Sequence, residues 1–277
     1  EEMVLENTTI ALIGSGVMGE AMIKGLLRQE LISPQSIIAA DVHTQRGAEL
    51  VERYGVRFTN DNAVAAAEAD VLVLSIKPQM MSRVLPGIRG HIKTDARVLS
   101  IAAGYKMQKI IDRTDCRCVV RAMPNTPGQI GEGTTVWTAT PEVSDRQRLW
   151  ASAVLGALGK SLFVDDEKLL DMATALNGSG PSYVFLLMEA MIDAGVHMGF
   201  SRQDSQFLVH QTMLGSVKYA IEAGQHPAEL RNQVTSPGGT SAAALYQLEK
   251  GGVRTVISKA IWAAYQRSRE LGEQNDD

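Results

Sequence analysis

A short apolar run, Ile10-Ala11-Leu12-Ile13, feeds directly into Gly14-Ser15-Gly16-Val17-Met18-Gly19, and apolar residues at helical spacing follow from Met18 to Gln29. This strand–loop–helix order constrains the fold more than any other feature of the chain. In a G-x-G-x-x-G loop the first glycine takes the tight turn and the second lets backbone approach a pyrophosphate. The third lets the helix pack on the sheet. The unpaired N–H groups at the helix start then face the anion. Gly14, Ser15, Gly16, Val17, Met18 and Gly19 are therefore candidate dinucleotide-binding residues. A second strand, Ser36 to Asp41, ends in an acid 22 residues beyond Gly19. A carboxylate there can hold the adenosine ribose hydroxyls and favours NAD, whereas Arg46, one turn into the next helix, could meet a 2′-phosphate. NADPH and NADH both stay open at this point.

The alternation continues to about residue 164. Thr44 to Tyr54 reads as a helix, and Val56–Thr59, Val71–Ile76, Arg97–Ile101, Cys118–Met123, Thr134–Ala139 and Leu162–Val164 read as further strands. Nearly continuous apolar strands separated by helices predict an α/β fold, a Rossmann-type, mostly parallel sheet covered on both faces. Beyond Asp165 strand signals stop and long helical patterns run to the C-terminus. Pro181 suits a first helical turn, with Ser179 as a cap. Ser201 caps the next helix, Gly224 ends it, and Pro227 opens a short one. The expected organisation is a dinucleotide-binding domain over residues 1–164 and an all-α domain over residues 165–277.

Composition excludes several classes. A net charge of −4 with 21% charged residues gives no concentrated basic face, so no nucleic-acid partner is expected. No apolar stretch approaches the ~20 residues of a membrane span, and the acidic start is unlike a signal peptide, so a cytoplasmic protein with no membrane partner is expected. The two cysteines, Cys116 and Cys118, are too few for a disulfide framework or a zinc cluster and read as reduced packing residues on one face of a strand. No metal site is expected. The five histidines, His43, His91, His197, His210 and His226, form no recognisable acid–base arrangement.

A second glycine turn lies late in the chain. Ser236-Pro237-Gly238-Gly239-Thr240-Ser241 precedes the helix-prone run from Ala242 to Glu249. Adjacent glycines free the backbone to turn, and the helix start offers N–H groups to a small anion. A dinucleotide cradle and a smaller anion cradle together suggest an enzyme that presents a carboxylate substrate to a nicotinamide.

With these two cradles stand Ile76-Lys77-Pro78, Ser100-Ile101-Ala102-Ala103-Gly104 and Met123-Pro124-Asn125-Thr126-Pro127, each after a strand. Glu167 and Asp171, then Asn177-Gly178-Ser179-Gly180-Pro181 and Val234 to Thr240, complete the set. In this order and spacing the chain resembles the Δ1-pyrroline-5-carboxylate reductase family nearly end to end. The resemblance implies cofactor contacts from the glycine loop, Asn62, Ile76, Lys77, Pro78, Ala102, Ala103 and Gly104, beside Asp41 from the strand reading above. It implies substrate contacts from Ser236, Gly238, Gly239, Thr240 and Ser241, with the Ser241 hydroxyl near the imine nitrogen. Serine stands at position 241 where many members have threonine, and it lacks the methyl group that restricts the rotamer. Ala244 stands where glycine is frequent. Glu167 either faces the site or is a capping acid in a first helical turn. The helical domain is expected to form a homodimer, assembled further into a higher oligomer such as a decamer. The apolar helix from Pro181 to Met198 fits that expectation, since a monomer would expose it.

The implied reaction is hydride transfer from NADPH or NADH to the C=N carbon of 1-pyrroline-5-carboxylate, giving L-proline. A protonated imine is already electrophilic, so orientation carries much of the work, up to ~7–11 kcal/mol in well-placed systems. Tyr183 reads either as a pocket-lining or as a core residue. The alternative is a β-hydroxyacid dehydrogenase-like oxidoreductase, which needs a base, commonly a lysine in a G-x-x-x-K helix. The corresponding helix here begins Gly180-Pro181-Ser182-Tyr183 and has no lysine before Lys218.

Overall fold

The computed structural model describes Leu5 and residues 7–274. Its sheet has eight strands in the order β3-β2-β1-β4-β5-β6-β7-β8. The strands are β1 (Ile10–Ile13), β2 (Ile37–Ala40), β3 (Arg57–Thr59), β4 (Val71–Leu74), β5 (Arg97–Ser100), β6 (Val119–Met123), β7 (Gly133–Ala139) and β8 (Gly159–Phe163). Neighbours pair in parallel throughout except β6 with β7, which are antiparallel. The predicted strands are all present, and the sheet is mostly parallel as expected.

Side chains alternate between the two faces of a strand, so each buried strand feeds two cores. Ile10, Leu12, Val71, Val73 and Leu99 face one core, which is closed by α1 (Val17–Arg28), α2 (Thr44–Tyr54) and α6 (Asp145–Gly156). Ala11, Ile13, Leu72, Leu74 and Val98 face the other, closed by α3 (Asn62–Glu68), α4 (Pro78–Ile88) and α5 (Met107–Thr114). The helix faces follow from sequence: Met22, Ile23 and Leu26 of α1 are wholly buried at helical spacing. A smaller cluster seats Leu170 and Ala173 of α7 (Lys168–Ala173) on Val136 of β7.

Two expectations are corrected here. Cys116 and Cys118 precede β6 rather than lying within it. The Cys116 thiol points at the Ala96 carbonyl at 3.8 Å and the Cys118 thiol at the Glu142 carbonyl at 3.6 Å. Ser179 is not an N-cap: it has helical dihedrals, φ −83° and ψ −15°, after a π-helical turn over Thr174–Gly178. An N-cap needs extended backbone, and helical winding already runs through this residue.

The chain forms two compact units, one of residues 1–181 with 264–277 and one of residues 182–263. The second unit draws on α8 (Gly180–Met198), α9 (Arg202–Ala223), α10 (Pro227–Gln233), α11 (Thr240–Lys250) and α12 (Val253–Gln274). Its helix ends obey the sequence. Ser201 Oγ accepts the Asp204 N–H at 3.0 Å, and Gly224 ends α9 in the left-handed region at φ 61°. Gly195 lets α8 approach α9 closely, because a Cβ there would stand 2.7 Å from Ser205 Oγ. Many large apolar side chains of this unit are exposed, among them Phe185, Leu186, Phe207 and Trp262.

Candidate active site

Four parallel strands deliver the predicted cofactor residues to one edge of the sheet. β1 runs into Gly14, β2 into Asp41, β4 into Ile76 to Pro78, and β5 into Ala102 to Gly104. The chain order reverses between β1 and β4, and open α/β sheets bind ligands at that crevice.

The glycine loop shows why each glycine is needed. Gly14 has φ +90°, and a Cβ there would stand 2.6 Å from Ile76 Cγ2 and 2.8 Å from the Ser75 carbonyl oxygen. A Cβ on Gly19 would stand 2.5 Å from the Gly14 carbonyl oxygen. Gly16 differs: a Cβ there would meet nothing within 4 Å, and Gly16 is the N-cap of α1 with no side-chain cap. Open space over backbone N–H groups at a helix start suits a pyrophosphate. Ser75 Oγ donates to the Gly14 carbonyl and ties the loop to the end of β4. Ser15 is buried, Met18 packs on the core, and Val17 is exposed.

Asp41 is bonded to the same loop. Its carboxylate accepts the Ser15 N–H at 2.9 Å, the His43 N–H at 3.0 Å and the His43 ring Nδ1 at 2.9 Å. Burial acts to raise its pKa, and these bonds outweigh it and hold the carboxyl below the ordinary range. Asn62 opens α3, where Asp61 caps the helix through the Ala63 N–H at 2.8 Å. With Val42, Met80 and Arg83, Asn62 lines a cleft of about 610 Å³. Lys77 is the N-cap of α4 in extended backbone, and Pro78 occupies its first turn. Ala102 is buried, its N–H bonded to Ser100 Oγ at 3.3 Å, and Gly104 has φ +70°. These residues fit a dinucleotide.

The late turn lies in the second unit. Gly238 has φ +70°, the Gly239 N–H donates to the Ser236 carbonyl at 3.0 Å, and Gly239 is the N-cap of α11 with no side-chain cap. A Cβ on Gly239 would stand 2.5 Å from Ser236 Oγ. Thr240 is exposed and Ser241 half-buried, so the helix start faces outward with its first N–H groups uncapped by side chains. Ser236, Gly238, Gly239, Thr240 and Ser241 thus lie together in one turn, whose helix start has the chemistry to suit a small anion.

Known proteins match both halves. Residues 167–271 match the family model for pyrroline-5-carboxylate reductase dimerisation, and residues 9–104 match that for coenzyme F420-dependent NADP oxidoreductase. The pyrroline-5-carboxylate reductase of Synechocystis is 40% identical over 96% of this chain and 98% of its own length. That of Pseudomonas aeruginosa is 41% identical over 96% of this chain and 97% of its own. The chain belongs to the pyrroline-5-carboxylate reductase family. The crystal structure of Plasmodium falciparum pyrroline carboxylate reductase with NADP bound matches with a TM-score of 0.88. It is 29% identical and covers 97% of this chain and 99% of that one. The fold expected from the resemblance, a Rossmann-type sheet followed by a helical dimerisation region, is borne out. Among the described residues no helix is long and apolar enough to cross a membrane.

The structure of this reductase-family chain also assembles residues that the sequence did not mark as partners. Glu20 of α1 accepts from Arg46, from Arg53 at 2.6 Å and from Tyr54 at 2.8 Å. Burial acts to raise the Glu20 pKa, but these donors, Arg46 foremost, hold it below the ordinary range. The Glu20 bond raises the pKa of Arg46, and Arg46 Nε also donates to the Ser15 carbonyl at 3.0 Å.

A second group centres on Arg121 of β6, whose side chain is only 3% exposed. It bonds Glu167 at 2.9 Å and Asp171 at 3.2 Å. Glu167 also accepts the Met107 N–H at 2.8 Å, so it caps α5 rather than its own helix. Ser268 of α12 donates to Asp171 at 3.3 Å. The E-x-x-x-D register was the available signal, since residues four apart share a helix face. A third group joins Asn125 to Asn177 at 3.0 Å, while Asn177 reaches the Thr134 carbonyl at 2.9 Å.

Proposed function

We propose that this chain reduces the ring C=N bond of 1-pyrroline-5-carboxylate to L-proline. The observation that carries this reading is the uncapped start of α11 at Gly239, in a chain 40% identical nearly end to end to a pyrroline-5-carboxylate reductase. The N–H groups of Thr240 and Ser241 hold the substrate carboxylate, with Ser236, Gly238 and Gly239 shaping the turn. The Ser241 hydroxyl orients the ring nitrogen, which enters the reaction protonated. The glycine loop, Asp41, Asn62, Ile76 to Pro78 and Ala102 to Gly104 hold the dinucleotide. When bound, the reduced nicotinamide supplies the hydride to the ring carbon. One hydride and the imine proton give the neutral secondary amine of the product, which then protonates from solvent.

The first 164 residues serve the dinucleotide, and residues 165–277 serve substrate binding and dimerisation. The exposed apolar helices of the second unit support a homodimer built through them. The dimers assemble further, into a decamer. α8 carries no lysine, which leaves the hydroxyacid chemistry without its base.

The test follows oxidation of NADH and of NADPH separately at 340 nm with racemic pyrroline-5-carboxylate. The expected result is turnover that yields L-proline and stops when half of the racemate is consumed. No turnover of the imine, with oxidation of a 2- or 3-hydroxy acid instead, would overturn the reading.

A further inference from the structure

Arg46 is the α2 residue that the sequence offers to a 2′-phosphate, and each of its three guanidinium nitrogens already has a partner. Nε is bonded to the Ser15 carbonyl at 3.0 Å, Nη1 to Glu49 at 3.2 Å and Nη2 to Glu20. Glu20 is only 19% exposed and also gathers Arg53 and Tyr54, so the guanidinium is held on the α1 side of the loop. Asp41, 15% exposed, has its carboxylate fixed against the loop by the Ser15 N–H. Counting formal charges, Glu20, Glu49 and Asp41 face Arg46 and Arg53, so the site is already one charge negative. A phosphate there would add close to two more.

We propose that Asp41 and Glu20 together set this chain to prefer NADH over NADPH, Asp41 by accepting a ribose hydroxyl and Glu20 by withholding Arg46 from a 2′-phosphate. The inference rests on the reductase reading above. A hydrogen bond to an ionised group contributes about 1.5–3 kcal/mol, so the preference is expected to be roughly tenfold to hundredfold. Arg83, which lines the neighbouring cleft with Val42 and Asn62, is the cation a 2′-phosphate would have to reach if the preference ran the other way.

The experiment is a fluorescence titration of the intact protein with NADH and with NADPH, without substrate. Wild type is expected to bind NADH at least ~10-fold more tightly. Asp41→Ser is expected to remove most of that difference by weakening NADH binding and strengthening NADPH binding. Glu20→Gln is expected to strengthen NADPH binding several-fold while NADH binding stays within about twofold. Adding Arg46→Leu to Glu20→Gln should cancel that gain, which separates a freed guanidinium from a general loosening of the loop. Thermal melting of each variant checks that it is folded. Equal or tighter binding of NADPH by wild type would overturn the proposal and leave the reductase reading standing, as would a folded Glu20→Gln variant with unchanged NADPH affinity. Binding of neither nucleotide would sink both.

Discussion

Gly272, near the end of α12, lies backbone to backbone against Gly104. A Cβ on Gly272 would stand 3.2 Å from the Gly104 carbonyl oxygen, and one on Gly104 would stand 3.3 Å from the Gly272 nitrogen. Lys109 Nζ adds a bond to the Gly272 carbonyl at 3.3 Å. The last turns of the chain therefore brace the loop that follows β5, and the candidate nicotinamide side inherits its position from the far end of the sequence.

Gly272→Leu should displace that loop. Its dissociation constant for reduced cofactor, read by fluorescence, is expected to rise about tenfold, which is ~1.4 kcal/mol. The melting temperature should fall by only a few degrees. Unchanged cofactor affinity in a folded variant would show that the contact is packing alone.

Arg121→Met should be costly. The arginine is buried and bonds both Glu167 and Asp171, so its removal takes away the cation these two carboxylates share. Breaking such a pair costs on the order of 3–5 kcal/mol when buried; Glu167 and Asp171 keep partial solvent contact, so about 2–3 kcal/mol is expected in urea denaturation. Restoring stability by adding Glu167→Gln and Asp171→Asn would confirm that the loss is electrostatic. A triple variant as unstable as Arg121→Met would point to lost packing instead.

Gly14→Ala tests the loop itself. The residue needs φ +90°, and its added methyl would collide with Ile76 and Ser75, so strain and collision act together. Cofactor binding is expected to be lost even where the melt shows a folded protein. Gly16→Ala meets no protein atom and should fold normally while binding the dinucleotide poorly, because the methyl enters the space left for the phosphate. Normal affinity in Gly16→Ala would remove the pyrophosphate from that position.

Much of this was readable from the sequence. β1, β2 and β4 are unbroken apolar runs of four, so pattern alone places them, and the glycine loop follows directly from β1. The sequence pattern marks β8 only over Leu162–Val164, because Lys160 and Ser161 are polar and exposed at the sheet edge, where no burial pattern is imposed. The bracing pairs were not readable. Glu20 and Arg46 are 26 residues apart and Arg121 and Glu167 are 46 apart, so only the sheet order and helix packing bring them together. Gly272 against Gly104 is harder still, since a glycine near the end of a helix signals a stop in sequence and a close approach only in three dimensions.

Acid should destabilise the protein through its paired carboxylates. Burial acts to raise the pKa of Asp70, but the Thr9 N–H at 2.7 Å and Lys93 at 2.9 Å outweigh it and hold the pKa below the ordinary value. A carboxyl with a depressed folded pKa stabilises fully above its unfolded pKa, near 4, and loses that contribution as pH falls through the folded value. Asp41 and Glu20 shift the same way. The melting temperature is expected to be level above about pH 5 and to fall steadily below pH 4. Asp70→Asn should melt lower than wild type at pH 7 and converge with it toward pH 2. A constant difference at every pH would mean that the charge of Asp70 contributes nothing.

The carboxylate grip at Gly239 is tested most directly by comparing 1-pyrroline-5-carboxylate with 1-pyrroline, which lacks the acid group, in wild type and in Gly239→Val. Wild type is expected to favour the acid by about a hundredfold or more in kcat/KM, in line with the loss of a charge-assisted hydrogen bond or two. In Gly239→Val, whose side chain would crowd Ser236, that discrimination should collapse through KM while the cofactor dissociation constant stays the same. Full discrimination retained by a folded Gly239→Val enzyme would contradict the placement of the substrate carboxylate at this turn.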